Sequence, residues 1–475
     1  MKRRFFTTFV ILAMLIMAIS PSSVLAGAYE TDFVTSITYQ NIGTATTTTL
    51  NVLFYDSPTD TSPQVVARPN LAANASTSLY IGSVISSSFE GTAVMAADQP
   101  LAATLVQNPP SGSTVKVRPL STGFSEGGAQ TLLATVRKND LNEHTVFVVQ
   151  NAGTCTANAA IKFYNTSATL VHTINQTLEP GAGVHVDTGV VSALGSTFNG
   201  SVVVDGTCTT GGTPSFVSSA MELGFGSNNF ARAFEGSNQG ATTVYMPSAL
   251  CAYGSPASTT YYAVQNTSLT TPTNVTVTYS NGKSETKSAG PGAKASFSGC
   301  GPVGQPTNWI GSATITSSAT PVVAVGKVSN APGGLLSTAF LGFPAGAQKI
   351  ALPYVRWGNS THYFSGLTQR TYIAIQNLGA AIPAGTPITI QYVKYDGTVE
   401  GTHTITTGVA TGGKVNSNPT NAGLTEFGCY SNCTVYGGGA VVIGPAGSQL
   451  AVVARLTTWT GSVDVGEDYN GIPYP

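Results

Sequence analysis

The dipeptide Gln-Asn closes an apolar run four times in this chain, at Gln40, Gln150, Gln265 and Gln376, with spacings of 110, 115 and 111 residues. A period of that length marks four copies of one structural unit, because unrelated folds joined end to end keep no common phase. Other landmarks hold the same phase. An aromatic residue with Gly two places on stands at Phe89, Phe198, Trp309 and Tyr436, and a turn signal precedes it as "LAANAST" at 71–77, "LEPGAGV" at 178–184, "AGPGAKA" at 289–295 and "GVATGGK" at 408–414. A second apolar run follows as "PLAATLV" from Pro100, "PVVAVGKV" from Pro321 and "QLAVVARL" from Gln449, with a looser match near Phe216. Each unit ends on an aromatic followed by Gly, at Phe124 to Gly127, Phe234 to Gly236, Phe340 to Gly342 and Tyr469 to Gly471. The units are set at residues 27–127, 128–240, 241–346 and 347–475.

Within a unit the apolar period is two rather than 3.6, and the runs are short, rich in Val, Ile, Thr and Tyr, and bounded by Gly, Pro, Asn and Ser. Unit 3 reads as seven strands, A to G: "TVYMP", "YYAVQN", "NVTVTYS", "SETKS", "AKASF", "WIGSATI" and "PVVAVGKV". About seven strands in roughly 110 residues are the pattern of an antiparallel β-sandwich of immunoglobulin type. The expected fold is therefore all-β, with four tandem immunoglobulin-like modules.

Alternation along strand B places Asn41, Asn151, Asn266 and Asn377 on the face that carries Ile37 and Tyr39, Phe147 and Val149, Tyr262 and Val264, and Ile373 and Ile375. An inward carboxamide at a strand end must find partners, and the following turn offers them, so each Asn is expected to lock that turn. The Gln residues fall on the opposite face, which is mixed and expected to be wet.

Charged residues are only 9% of the chain, hydrophobic ones 42%, and the net charge is -1. A balance of this kind offers no electrostatic footprint for nucleic acid or an anionic membrane. Lys2, Arg3 and Arg4 precede the apolar stretch Phe9 to Ile19, and small residues end at Ala26, so residues 1–26 read as a secretory signal peptide. No later segment is long enough to span a bilayer as a helix. The expected location is outside the cell or on a bacterial cell surface. Six Cys in an exported chain favour disulfides, and they fall as Cys155 and Cys208, Cys251 and Cys300, and Cys429 and Cys433. Zinc competes as a reading, but neither a paired C-x-x-C nor a neighbouring His supports it.

The segments "VVQNAG", "LEPGAG", "FNGSVVV" and "PLAATLV" resemble the immunoglobulin-like repeats of secreted bacterial surface proteins, including the bacterial cell-adhesion-related domains. The resemblance covers all four units and implies structural or adhesive stalk domains. No catalytic motif or cofactor signature is expected: the five His share no metal-ligand spacing, and "GSNQG" at 236–240 holds its Ser in the wrong place for a nucleophile elbow. Asp464, Glu467 and Asp468 form a weak Ca²⁺ candidate, with a solvated turn preferred. Unit 4 carries an insertion at 356–370 and the tight "CYSNC" loop, and there Trp357, His362, Tyr363, Phe364 and Tyr430 form the candidate ligand patch. The expected function is a non-catalytic structural or adhesive rod, contacting itself or other cell-envelope proteins. The alternative is an array of carbohydrate-binding modules that holds polysaccharide for a separate enzyme.

Overall fold

A computed structural model describes residues 29, 31–85, 89–110, 112–115, 117–226, 229–330, 336–359, 368–430, 433–459 and 464–474. It is all-β, and all pairing between its strands is antiparallel and stays within one repeat. In unit 3 the strands are A (Thr243–Cys251), B (Ser258–Asn266), C (Thr273–Tyr279), D (Ser284–Ala289), E (Lys294–Ser298), F (Trp309–Ser317), G (Val322–Asn330) and an eighth, H (Ser337–Leu341). They form two sheets in the orders D-C-F-A and E-B-G-H. Unit 2 repeats both orders with A (Thr131–Lys138), B (Glu143–Asn151), C (Ala157–Asn165), D (Leu170–Leu178), E (Gly183–Asp187), F (Phe198–Cys208), G (Phe216–Gly224) and H (Ala231–Glu235).

Constant-type immunoglobulin order sets A beside B and G beside F. Here the two exchange places, A lying on F and G on B. Strict alternation of direction gives A and G the same sense, so either can pair antiparallel with B or F. Moving G onto B leaves its outer edge free for H, the strand missing from the seven expected. H carries the aromatic of the aromatic-x-Gly signature, and the Gly just past its end donates its amide back to strand G: Gly236 to Ser218 O at 2.6 Å and Gly342 to Ala324 O at 2.8 Å. In unit 1 the equivalent donor is Gly123, to Ala103 O at 2.9 Å, so Phe124 to Gly127 is not that unit's signature; Ser121 stands where the other units have an aromatic.

Unit 4 has A (Lys349–Leu352), B (Thr368–Asn377), C (Ile388–Lys394), D (Val399–Ile405), E (Lys414–Ser417), F (Gly438–Ile443), G (Leu450–Trp459) and H (Asp464–Asn470), and Ile472–Pro473 adds itself to the free edge of A. Unit 1 has B (Val34–Asn41), C (Leu50–Tyr55), D (Gln64–Ala67), E (Ser76–Tyr80), F (Thr92–Ala97), G (Leu101–Asn108) and H (Leu120–Thr122), with no A among the described residues.

The apolar faces of the two sheets of a unit share one cluster, as Phe147, Ile161, Phe163, Val202 and Phe216 do in unit 2. The same cluster takes in Ala263, Val323 and Val325 from the outer face of strands B and G in unit 3. Each D-C-F-A sheet is thus backed by the next unit's E-B-G-H sheet, and strands such as "TLLATVRK" and "VVAVGKV" are buried on both faces. This doubled burial is why those strands read as continuous apolar runs.

An in-line rod would keep units 1 and 4 apart, and the chain does not build one. Gly438 of unit 4 donates its amide to Ser76 Oγ of unit 1 at 2.8 Å, and Ile42 and Ala102 of unit 1 pack with Ala351, Ile472 and Tyr474 of unit 4. The four H strands touch in cyclic order, unit 1 to 2, 2 to 3, 3 to 4 and 4 to 1. The repeat closes into a ring with the outer face of each E-B-G-H sheet, mixed apolar and polar, covered by the preceding unit.

Candidate functional site

The polar side chains that recur with the repeat gather at its turns and joints. Each strand B Asn is fully buried and makes one pattern of hydrogen bonds. Asn151 Oδ1 accepts from Gly153 N at 3.0 Å, while Nδ2 donates to Cys155 O at 2.7 Å and to Leu178 O at 3.0 Å. Asn41 repeats this with Gly43, Ala45 and Leu71, Asn266 with Ser268, Thr271 and Ala289, and Asn377 with Gly379, Ala380 and Val409. One side chain therefore holds both the B-C turn and the D-E turn, 27 residues further on in unit 2.

The Gln residues are not wet. Gln40, Gln265 and Gln376 are 0% exposed and Gln150 is half-buried, because the face they occupy is covered by the preceding unit. Gln265 Nε2 donates to Gly292 O of its own D-E turn and to Val202 O of unit 2, both at 3.1 Å. Gln150 bridges Gly181 O and Ala93 O of unit 1, and Gln376 bridges Gly412 O and Ala313 O of unit 3. The turn residue is left-handed in every copy, Asn74, Gly181, Gly292 and Gly412 with φ of 62°, 82°, 68° and 73°, which aims its carbonyl at the joint. A hydroxyl of the preceding strand F donates to that carbonyl at three joints: Thr92 to Gly181 at 2.9 Å, Ser201 to Gly292 at 2.7 Å and Ser312 to Gly412 at 2.8 Å. Its counterpart at the closing joint is Gly439, and there Gln40 Nε2 donates to Asn74 O at 3.0 Å.

A belt of buried charge joins the units nearer the H strands. Glu222 accepts from Arg232 Nε at 2.7 Å and pairs with Lys327 of unit 3 at 2.5 Å; Arg232 also reaches Glu143 at 2.6 Å and Ser337 Oγ of unit 3 at 2.8 Å. These cations hold the Glu222 carboxyl well below the usual range despite complete burial. Burial, with Arg137 nearby, pushes the Lys294 amine down to about 7. Asp468 is held by Arg455 at 2.8 and 2.7 Å and by Thr338 Oγ1 at 2.8 Å. Burial pushes Glu467 up to about 7, outweighing Arg118 of unit 1, whose Nε stands 3.5 Å away; Glu467 Oε1 accepts the Arg118 amide at 3.1 Å and Oε2 has no hydrogen-bond partner.

Glu467 and Asp468 are therefore not on a solvated turn: they lie buried in strand H of unit 4, spent on arginines. For Asp464 the structure describes only its pairing with Trp459. Among the described residues no group of three or more His, Cys, Asp or Glu is placed to hold a metal ion. No family model matches this sequence. No curated protein matches it either. The six Cys are joined as Cys155–Cys208, Cys251–Cys300 and Cys429–Cys433.

The candidate ligand patch is not assembled as one exposed surface. Trp357 is 8% exposed, edge-on to Tyr372 at 5.8 Å and under the Arg370 guanidinium at 4.6 Å. Tyr430 is half-buried, donates to Glu400 Oε2 at 3.0 Å and packs on Tyr395 at 5.3 Å. His362, Tyr363 and Phe364 lie outside the described residues. Among the described residues the exposed aromatics of unit 4 are instead Tyr372, Tyr395 and Trp459, and of these Tyr372 and Trp459 lie on the same face of its E-B-G-H sheet. Two signals in the sequence point to the joints: the Gln recurs as faithfully as the Asn, and Lys327 interrupts an otherwise apolar run.

Proposed function

We propose that this is an exported, non-catalytic surface protein: four immunoglobulin-like β-sandwich units, with exchanged edge strands, closed into a rigid ring that serves a structural or adhesive role. The observation that carries the reading is the Gln staple, one device spent at three successive joints on fixing each unit to its neighbour. A binding array on flexible linkers needs no such joints. The resemblance to bacterial cell-adhesion-related repeats supports the role, and three disulfides suit an oxidising compartment. No helix among the described residues is long and apolar enough to cross a membrane. The partners are further copies or other cell-envelope proteins, met through loops and outer strands whose low charge opposes close packing little.

Negative-stain electron microscopy of residues 27–475 over a range of concentrations, with and without Ca²⁺, tests the structural role. Ordered sheets or filaments of ring-shaped particles are expected. The alternative, polysaccharide binding, draws on the exposed Tyr372 and Trp459, 45% and 52% accessible, since such rings stack on sugar faces. Dispersed particles at every concentration, together with retention on insoluble polysaccharide that is lost in the Tyr372→Ala, Trp459→Ala double variant, would replace the structural reading with that one.

A further inference from the structure

The four D strands end their sheets in one way, each pairing with C alone among the described residues. An open edge is thus built into the repeat, and the sequence blunts it unequally. In unit 1 strand D has four residues and runs into Arg68 and Pro69; in unit 3 it carries Glu285 and Lys287, and in unit 4 Glu400. Strand D of unit 2, "LVHTINQTL", is nine residues long and holds no Asp, Glu, Lys or Arg. Its His172 is turned onto the Phe163 ring, with centroids 6.2 Å apart, and Lys162, opposite Thr173 on strand C, is tied to Asp205 at 2.6 Å. Leu170 and Val171 are 47% and 37% exposed.

Alternation identifies the groups on that edge. Thr209 N donates to Thr156 O at 2.9 Å, one step beyond the Ala157–Cys208 pair, so Thr156, Asn158, Ala160 and Lys162 bond to strand F. Ala157, Ala159 and Ile161 bond to D through Leu178, Gln176 and Ile174. The amides and carbonyls of Thr173, Asn175 and Thr177 therefore face outward, and among the described residues only Thr177 O is engaged, by Gln176 Nε2 at 3.1 Å. A register shift between Phe163 and Tyr164 ends the regular ladder beyond His172. D and E lie at the ends of their sheets opposite A and H, and the H strands meet one another, so this edge is on the outside of the ring.

We propose that this edge pairs with the same edge of a second copy, antiparallel about a two-fold axis, joining two rings through one continuous sheet. The occupant follows from the chemistry of the edge. A register centred on Asn175 sets Thr173 against Thr177 of the second copy and satisfies all three amides and all three carbonyls of each, with Thr beside Thr and no charge opposed. A charged strand of another protein would find no counter-charge here. One such edge per chain gives a closed dimer, so a sheet or filament needs a further contact. This pairing rests on the reading of the protein as one that meets further copies of itself, and it names the strand.

Sedimentation velocity of residues 27–475 over a concentration series, at fixed salt, reads the pairing. A reversible dimer is expected, weak because one strand edge buries little area. Asn175→Lys sets Lys opposite Lys of the second copy and should weaken the dimer at least about tenfold, Asn175→Ala less than about threefold. Asn175→Pro removes an edge amide without touching the C-strand ladder and should act like Asn175→Lys. Thr286→Pro is the same change on the edge of unit 3, since Ser318 N bonds Asn274 O and leaves Thr286 facing outward, and it should leave the dimer intact. Equal loss in Thr286→Pro, or a dimer that Asn175→Lys leaves intact, would overturn the assignment to this strand while self-association stands. Monomers at every concentration would overturn the pairing and leave the edge to a strand of another protein. Negative stain of the same samples then separates the two readings: ordered sheets or filaments without a dimer in solution keep the structural role, and dispersed particles remove it.

Discussion

At the scale of single residues, two neighbouring amides do different work. Asn266 satisfies groups inside its own unit, so Asn266→Ala removes the partner of Ser268 N, Thr271 O and Ala289 O, of which Ala289 is buried, Ser268 half-buried and Thr271 exposed. A cost of about 3 kcal/mol is expected, at roughly 1 to 3 kcal/mol per orphaned buried group and less where water can replace the amide. Gln265→Ala removes two donors, but Gly292 O keeps Ser201 Oγ, so about 1 kcal/mol is expected. Urea unfolding followed by tryptophan fluorescence ranks the two; equal losses would refute the division of labour. The buried acid at the joint of units 4 and 1 sets a pH dependence. The pKa of Glu467 rises from an ordinary 4.5 to about 7 on folding, so the folded chain binds the extra proton between those values. Stability should therefore fall, by about 3 kcal/mol at most, as pH rises from 4.5 to 7, and then level off. Glu467→Gln should flatten the midpoint of thermal unfolding between pH 5 and 7. Lys294, lowered to about 7, acts in the opposite sense above that pH, where stability should rise.

At the scale of strands and turns, the phase of the repeat was legible because its landmarks carry geometric duties. The Gly two places after the strand F aromatic is needed where a Cβ would collide with Tyr55 O in unit 1 and Tyr164 O in unit 2, and where the Phe89 and Phe198 rings fold back over it. All seven strands expected in unit 3 are present, with ends shifted by a few residues. Strand H was not legible as a strand: at three to seven residues it is short, and its pairing lies on one side only. The disulfides give an element-level prediction. Closing loops of 53 and 49 residues, Cys155–Cys208 and Cys251–Cys300 should each contribute about 4 kcal/mol, whereas Cys429–Cys433, with a separation of 4, contributes about 2 kcal/mol in the same chain-entropy account. Paired Cys→Ser variants measured by thermal unfolding should show losses in that order.

At the scale of the whole molecule, closure makes a firm prediction for solution scattering. A compact chain of this length has a radius of gyration of about 22 Å, while four such units in line would give about 40 Å. Small-angle scattering of residues 27–475 should return the smaller value, and the larger would exclude the ring. Local chemistry in the sequence determined the repeat, the strand period and the Asn turn locks, because those depend on neighbours within a few tens of residues. Which face of strand B meets water was decided elsewhere. Gln150, Gln265 and Gln376 lie on a face that is outer for its own unit and inner for the molecule, and only the packing of one unit on the next reveals the difference. Closure of unit 4 on unit 1 and the setting of Glu467 follow likewise from contacts between residues some 350 positions apart, whose pairing no local pattern encodes.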